Sequence, residues 1–260
     1  MYTLNRALSA LTGIIMTVSA ISGADAQSTK TGVTNVVLVH GAFADGSSWS
    51  KVIPLLEAKG LTVIAVQNPL TSLADDVAAA KRAIALQNGP VLLVGHSWGG
   101  AVITEAGNDP KVAGLVYVAA GAPDEGQSFG EMGQAAPPAP GTGEIRPDAA
   151  GFLSLTAKGI KEDFAQDLPE AETKLMFATQ GPWSAKALGD KISKAAWKTK
   201  PSWYIAASED RMINPDLQQT LAKKIKATTL TLKTSHVPMV SQPEKVAAFI
   251  IEAAAHVNVQ

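Results

Sequence analysis

The chain contains no cysteine. Disulfide scaffolds, iron–sulfur clusters, thiolate zinc sites and cysteine nucleophiles are therefore excluded. It also lacks a charge imbalance: 22 Lys and Arg stand against 23 Asp and Glu, a formal net charge of −1. That balance gives no electrostatic reason for a nucleic-acid or anionic-membrane partner. No internal repeat is visible. The four histidines are too dispersed to form a metal constellation, so neither a metal nor another cofactor is expected. No feature sets an oligomeric state. The lack of cysteine does not fix the compartment, because exported proteins can do without disulfides.

What is present suffices for a core. Hydrophobic residues make up 46% of 260 residues and charged residues 17%, outside the composition of disordered chains. That length suits one large domain or two small ones. Residues 1–26 read as a secretory signal peptide. Arg6 and the amino group supply positive charge, Ala7 to Gly23 is apolar, and Ala24-Asp25-Ala26 makes an A-x-A cleavage site before Gln27. The alternative is a membrane anchor. The stretch is short for one and is interrupted by Ser9, Thr12, Thr17, Ser19 and Ser22. The expectation is a periplasmic or secreted protein with no membrane attachment after cleavage.

Six apolar, β-branched runs suit strands buried on both faces of a parallel sheet: Asn35–Val39, Leu61–Val66, Val91–Val94, Leu115–Val118, Ser202–Ala206 and Thr229–Leu232. Helical segments lie between them at Trp49–Lys59, Leu73–Leu86, Trp98–Ala106, Pro215–Ile225 and Pro243–Ala255. Such alternation predicts right-handed βαβ units with helices on both faces. From Gly121 to Lys200 the alternation stops and no strand is expected. Ala135–Gly143 reads as loop, with helical candidates at Glu162–Leu168, Glu170–Ala178 and Ala185–Trp197. An insertion of roughly 80 residues is too long for an ordinary connection. A helical lid over the sheet explains it. The expected organisation is a core of 27–120 and 201–260 with a cap of 121–200.

Gly95-His96-Ser97-Trp98-Gly99 fits G-x-S-x-G between a strand and a helix, the setting a nucleophile elbow requires. The Trp98 N–H then sits at a helix N-terminus, where an oxyanion would form. A second donor is expected from the loop after the first strand, from Ala42 first and Phe43 second. Serine needs a base. His236 follows the last strand, at the sheet edge where ligands bind in open α/β folds. His40 ends the first strand and is placed to orient the oxyanion loop. His96 sits in the elbow but points away from Ser97, and His256 lies in a polar tail. The base needs a carboxylate. Asp210 follows the fifth run and gives the chain order Ser97…Asp210…His236. Asp124 is the alternative, and Glu209 is placed to pair with Arg211.

With the motifs VLVHGAF at 37–43, GHSWGG at 95–100, SEDRMINP at 208–215 and SHVPMVSQPE at 235–244, the chain resembles the α/β-hydrolase superfamily. It is most similar to the small cap-bearing group that includes plant methyl esterases and hydroxynitrile lyases. The resemblance implies an α/β fold with a mostly parallel sheet of about six strands, helices on both faces and a helical cap insertion. It implies hydrolysis of a small-to-medium apolar carboxylic ester through an acyl-enzyme, with Ser97, His236 and Asp210 as triad and Ala42 and Trp98 as oxyanion donors. Dehalogenases and epoxide hydrolases of the superfamily carry Asp at the elbow, which Ser97 disfavours. Its cofactor-free lyases carry Thr where Gly41 stands and a cap lysine, a role open to Lys158, Lys161, Lys174 or Lys186. Phe43 and Trp183 are the expected substrate contacts, with Phe129, Phe152, Phe164, Met176, Phe177 and Met212 also apolar on the lid or loops. Lyase, lactone, amide or C–C cleavage, and a silent ligand-binding protein, stay open as alternatives.

Overall fold

Apolar runs form six strands of one parallel sheet, and the central strands are buried on both faces while the two edge strands are not. The structure is a computed structural model and describes residues 1–2 and 32–257. The signal peptide expected at 1–26 thus lies, beyond its first two residues, outside the described residues. In chain order the elements are β1 (Asn35–Val39), α1 (Ile53–Glu57), β2 (Thr62–Ala65), α2 (Leu73–Ala85), β3 (Val91–His96), α3 (Gly99–Ala106) and β4 (Val112–Val118). There follow α4 (Phe129–Gly133), β5 (Ile145–Pro147), β6 (Phe152–Leu155), α5 (Ala157–Gly159), α6 (Glu170–Thr179) and β7 (Trp183–Ser184). The chain closes with β8 (Ser202–Ala207), α7 (Pro215–Lys224), β9 (Thr228–Leu232), α8 (Pro238–Ser241) and α9 (Pro243–His256).

The large sheet has the order β2-β1-β3-β4-β8-β9, and every pair is parallel. β1, β3 and β8 are buried along their whole length, whereas the edge strands β2 and β9 are largely exposed or half-buried. From β1 the chain moves outward to β2 and then returns to place β3 on the other side of β1. This reversal leaves a crevice beyond the carboxyl ends of β1 and β3, where open α/β sheets bind ligands. The register sets Val39 beside Gly95, so the segments after the two strands, starting at His40 and Ser97, meet at that crevice.

The stretch between β4 and β8 differs from its expectation. It holds a three-stranded antiparallel sheet, β5-β6-β7, where the sequence pattern predicts none. The turn Asp148–Gly151 makes the hairpin. The Asp148 carboxylate accepts the N–H of Ala150 and of Phe152, each at 2.8 Å, and Gly151 takes φ +83°, a region open to glycine. Leu153 and Leu155 are buried between half-buried Phe152 and Ser154, an alternation too short to stand out. The helix expected at Ala185–Trp197 is instead two 3₁₀ turns, Ala185–Gly189 and Ala196–Lys198. Gly189 weakens a helix there, and the Asp190 carboxylate is taken by the Leu73 N–H at 2.9 Å. A π-helical turn, Ile160–Phe164, replaces the helix expected at Glu162–Leu168. Pro140–Glu144, expected as loop, forms a 3₁₀ turn.

Candidate active site

Ser97 sits between β3 and α3 at φ +52°, a left-handed conformation that is strained for a residue with a side chain. Its neighbours must be glycine on steric grounds. A Cβ on Gly95 would lie 2.5 Å from the Gly99 carbonyl oxygen, and one on Gly99 would lie 2.6 Å from that of Val39. Backbone bonds hold the turn. The Ser97 N–H donates to Val118 at 3.2 Å, and its carbonyl accepts from Gly100 and Gly121 at 3.0 and 3.2 Å.

The loops after β8 and β9 bring their residues to this hydroxyl. Ser97 Oγ–H donates to His236 Nε2 at 2.8 Å, and His236 Nδ1–H donates to Asp210 Oδ2 at 2.7 Å. All three side chains are buried. Asp210 Oδ1 accepts the N–H groups of Met212 and Ile213 at 2.7 and 3.0 Å, and Oδ2 also accepts Gln218 Nε2–H at 2.6 Å. Gln218 is fully buried and in turn ties the loop to β8, accepting the Ala207 N–H at 2.9 Å. Nothing in the sequence pattern marks Gln218, which lies in the first turns of α7. Asp124 stands elsewhere, half-buried and paired with Lys198 at 2.7 Å. Arg211 pairs with Asp163 at 2.7 Å and Glu209 with Lys233 at 3.5 Å, in place of the expected Glu209–Arg211 pair. Asp163 is buried and offers Arg211 the better desolvated partner.

The loop after β1 lies against the elbow because residue 41 is glycine. A Cβ there would sit 2.7 Å from the Ser97 Cβ. His40 fixes the loop. Its Nδ1–H donates to the Gly41 carbonyl at 2.8 Å, and its Nε2 accepts the Asn68 N–H at 2.9 Å. A trans peptide sets the Ala42 N–H opposite to the Gly41 carbonyl. The N–H groups of Ala42 and Trp98 find no protein acceptor among the described residues, so both stay available beside Ser97. His96 Nε2–H donates to the His236 carbonyl at 2.8 Å, a tie that sequence alone did not suggest. Burial pushes His40 below the ordinary imidazole value, and burial pushes His96 well below it.

Ser97 and His236 open on a cavity of about 360 Å³. Phe43, Trp98, Phe129, Phe164 and Trp183 form its aromatic walls. Trp183 meets Phe43 edge-on at 5.9 Å and Trp98 at 5.0 Å between ring centres. Met212 also lines it. Phe152 and Met176 do not, and Phe177 is exposed. No lysine lines the cavity among the described residues. Lys158 and Lys174 pair with Glu144 and Glu170 at the surface. Among the described residues no group of His, Asp and Glu is placed to hold a metal, and no helix is long and apolar enough to cross a membrane.

A serine elbow after the third strand, with acid and histidine loops after the last two, defines a class of hydrolases built on an open α/β sheet. Residues 36–249 match the profile of the alpha/beta hydrolase family, and the chain belongs to that family. It is 29% identical to the pyrethroid hydrolase of Sphingobium wenxiniae, over 85% of this chain and 88% of the relative. It is 25% identical to the putative methylesterase 12, chloroplastic, of Arabidopsis thaliana, over 85% and 72%. The crystal structure of a pyrethroid hydrolase from Sphingobium faniae JZ-2 superposes with a TM-score of 0.73 at 25% identity, covering 85% of this chain and 97% of that one.

Proposed function

We propose that the chain, a carboxylic ester hydrolase of the α/β-hydrolase family, cleaves small-to-medium apolar esters by two-step acyl transfer through Ser97, His236 and Asp210. The observation that carries this reading is the Ser97–His236–Asp210 relay, with contacts of 2.8 and 2.7 Å, at the wall of an aromatic cavity. His236 Nε2 takes the Ser97 Oγ proton as Oγ attacks the ester carbonyl. The Ala42 and Trp98 N–H groups receive the tetrahedral oxyanion, with no donor reorganised to do so. Collapse expels the alcohol, which leaves with the proton from His236. Water then attacks the acyl-enzyme, its proton passing to His236 and on to Ser97 as the acid departs. Asp210 holds the Nδ1–H tautomer and stabilises the imidazolium.

Gly41 in place of threonine and the lack of a cavity lysine among the described residues support hydrolysis over cyanohydrin cleavage. The cavity volume and its aromatic walls support an apolar acyl group. In this reading residues 121–200 act as the cap over the acyl site. Residues 1–26 direct export and are removed before Gln27. Intact mass after incubation with a fluorophosphonate tests the nucleophile. One adduct on the wild type and none on Ser97→Ala is the expected result, and no adduct on folded wild type overturns the reading. Nitrophenyl esters of graded acyl length then define the substrate range. Export is tested by the N-terminal sequence of protein recovered outside the cytoplasm. A start at Gln27 supports it, and retention of residues 1–26 refutes it.

A further inference from the structure

We propose that Asp76 is a positioning residue that sets acyl selectivity, its buried carboxylate anchoring both halves of the tryptophan wall of the cavity. The inference rests on the ester-hydrolase reading above. Asp76 lies in the first turn of α2 and is fully buried, yet it touches no member of the triad. Each of its oxygens takes one N–H. Oδ2 accepts the Trp98 indole Nε1–H at 2.7 Å, and Oδ1 accepts the Leu70 backbone N–H at 2.8 Å. Trp98 adjoins the nucleophile and lines the cavity, so the first bond fixes the rotation of a wall residue. The second bond reaches the opposite half. Leu70 is held at φ +59°, strained for a branched side chain, and its carbonyl accepts the N–H of Ser184 at 2.8 Å. Ser184 follows Trp183. Leu70 is thus clamped between Asp76 and the strand that carries the second tryptophan. The two indoles stand 5.0 Å apart, with Phe129 at 5.5 and 6.0 Å from them.

The chemistry of the side chain matters. Two N–H donors converge on it, and only a carboxylate accepts from both with its two oxygens. An amide must turn an NH₂ toward one donor. Burial makes the charge expensive and pushes the carboxyl up to about 6. Among the described residues no Lys, Arg or His is hydrogen-bonded to it, and the N-terminal end of α2 gives partial compensation. An apolar residue would leave the Trp98 indole N–H and the Leu70 N–H without their acceptor in a buried site, so the carboxylate is explained by the two groups it holds.

The test compares wild type, Asp76→Asn, Trp98→Phe and the double variant. Fluorophosphonate labelling is measured first, then kcat/KM on nitrophenyl acetate, butyrate and octanoate. The octanoate-to-acetate ratio is the readout, because it cancels any difference in the amount of folded enzyme. Each single variant is expected to change that ratio about tenfold, the scale of hydrophobic-pocket discrimination. The double variant is expected to change the ratio by less than the product of the single effects, because the Asp76–Trp98 contact is lost in both. Labelling of Ser97 is expected to persist in Asp76→Asn, which leaves the triad and its backbone donors in place. An unchanged ratio in Asp76→Asn, a common loss on all three esters, or effects that multiply in the double variant overturns the inference. A wild type that does not label refutes the hydrolase reading instead. Should Asp76→Asn fail to fold, indole hydrogen exchange in wild type decides together with Trp98→Phe. A protected Trp98 N–H with a shifted Trp98→Phe ratio supports the anchor. A freely exchanging N–H or a wild-type ratio overturns it.

Discussion

Replacing Asp210 by asparagine would change the proton on His236 more than the shape of the site. Two backbone N–H groups, from Met212 and Ile213, point at Oδ1 from 2.7 and 3.0 Å. They cannot turn away, so the asparagine oxygen must take that place. Its NH₂ then occupies the Oδ2 position and faces both Gln218 Nε2 and His236 Nδ1. Facing a donor, His236 must present the Nδ1 lone pair and carry its proton on Nε2. That nitrogen is the one 2.8 Å from the Ser97 hydroxyl, and a protonated Nε2 cannot accept the hydroxyl proton. The wrong tautomer is expected to lower kcat about 10⁴-fold, as in serine proteases, equivalent to about 5.5 kcal/mol of barrier. Turnover of a short nitrophenyl ester measures it, with the fluorophosphonate rate as a second reading of the same base. Asp124→Asn, which loses only a surface partner in Lys198, serves as control and should keep full turnover. An Asp210→Asn enzyme within tenfold of wild type would refute the argument, as would a large loss in the control.

Four further outcomes are expected. Gly41→Ala puts a Cβ 2.7 Å from the Ser97 Cβ and must displace the Ala42 donor, so kcat should fall about 10²–10³-fold. A near-normal kcat in steady-state assays would remove Ala42 from the oxyanion site. Gln218→Leu leaves the Ala207 N–H and the Ile213 carbonyl unpaired and should cost roughly 2–5 kcal/mol in urea melts, whereas a loss under about 0.5 would show the contacts to be idle. Burial, with a smaller contribution from Asp75, holds the Asp76 carboxyl at about 6 against an ordinary value of 3.8. The folded chain therefore binds this proton more tightly than the unfolded one. The group's contribution to stability is fully present below about 3.8 and is lost as pH rises through about 6. Melts of wild type and Asp76→Asn across that window should show wild type losing stability relative to the variant, and a constant difference would contradict the burial argument. Trp183→Ala removes a wall and should raise the octanoate-to-acetate ratio, so an unchanged acyl preference would exclude Trp183 from the acyl site.

The sheet was legible because its inner strands are buried on both faces, although the edge runs β2 and β9, expected to be buried likewise, are largely exposed or half-buried. Such strands must be continuous apolar runs, and six runs stand out against polar connections. The residues of the proposed triad were legible for a related reason. Ser97 and His96 end one run, and Asp210 and His236 follow two others, so strand ends mark the crevice without knowledge of packing. The insertion was harder to read. Its strands have three, four and two residues, too few for an alternation to differ from chance, and the turn at Asp148 was the one local signal. Asp76 was half-visible. Leu73, Val77, Ala80 and Ile84 form the buried stripe of α2, and Asp76 lies on that stripe at helical spacing. Its neighbour Asp75 satisfies Thr71 and Ser72 at the exposed helix start, so the pair reads as ordinary N-terminal acids. A carboxylate in register with an apolar face was the feature that set Asp76 apart.

Residue type alone could not divide the work among His40, His96 and His236, which crowd the same crevice. Hydrogen-bond accounting does. Both ring nitrogens of His40 are taken by backbone, one by the Gly41 carbonyl and one by the Asn68 N–H. His96 gives one nitrogen to the His236 carbonyl, and the other is buried with no partner among the described residues. Only His236 has a hydroxyl on one nitrogen and a carboxylate on the other. The accounting also has an electrostatic side. Catalysis makes His236 a cation twice in each proposed cycle, and His96 lies 4.8 Å from it between ring centres. A charged His96 would oppose that cation at short range in a buried site. Burial, and then the neighbouring His236, hold His96 well below the ordinary imidazole value, so it sets no like charge against the proton that His236 is proposed to take.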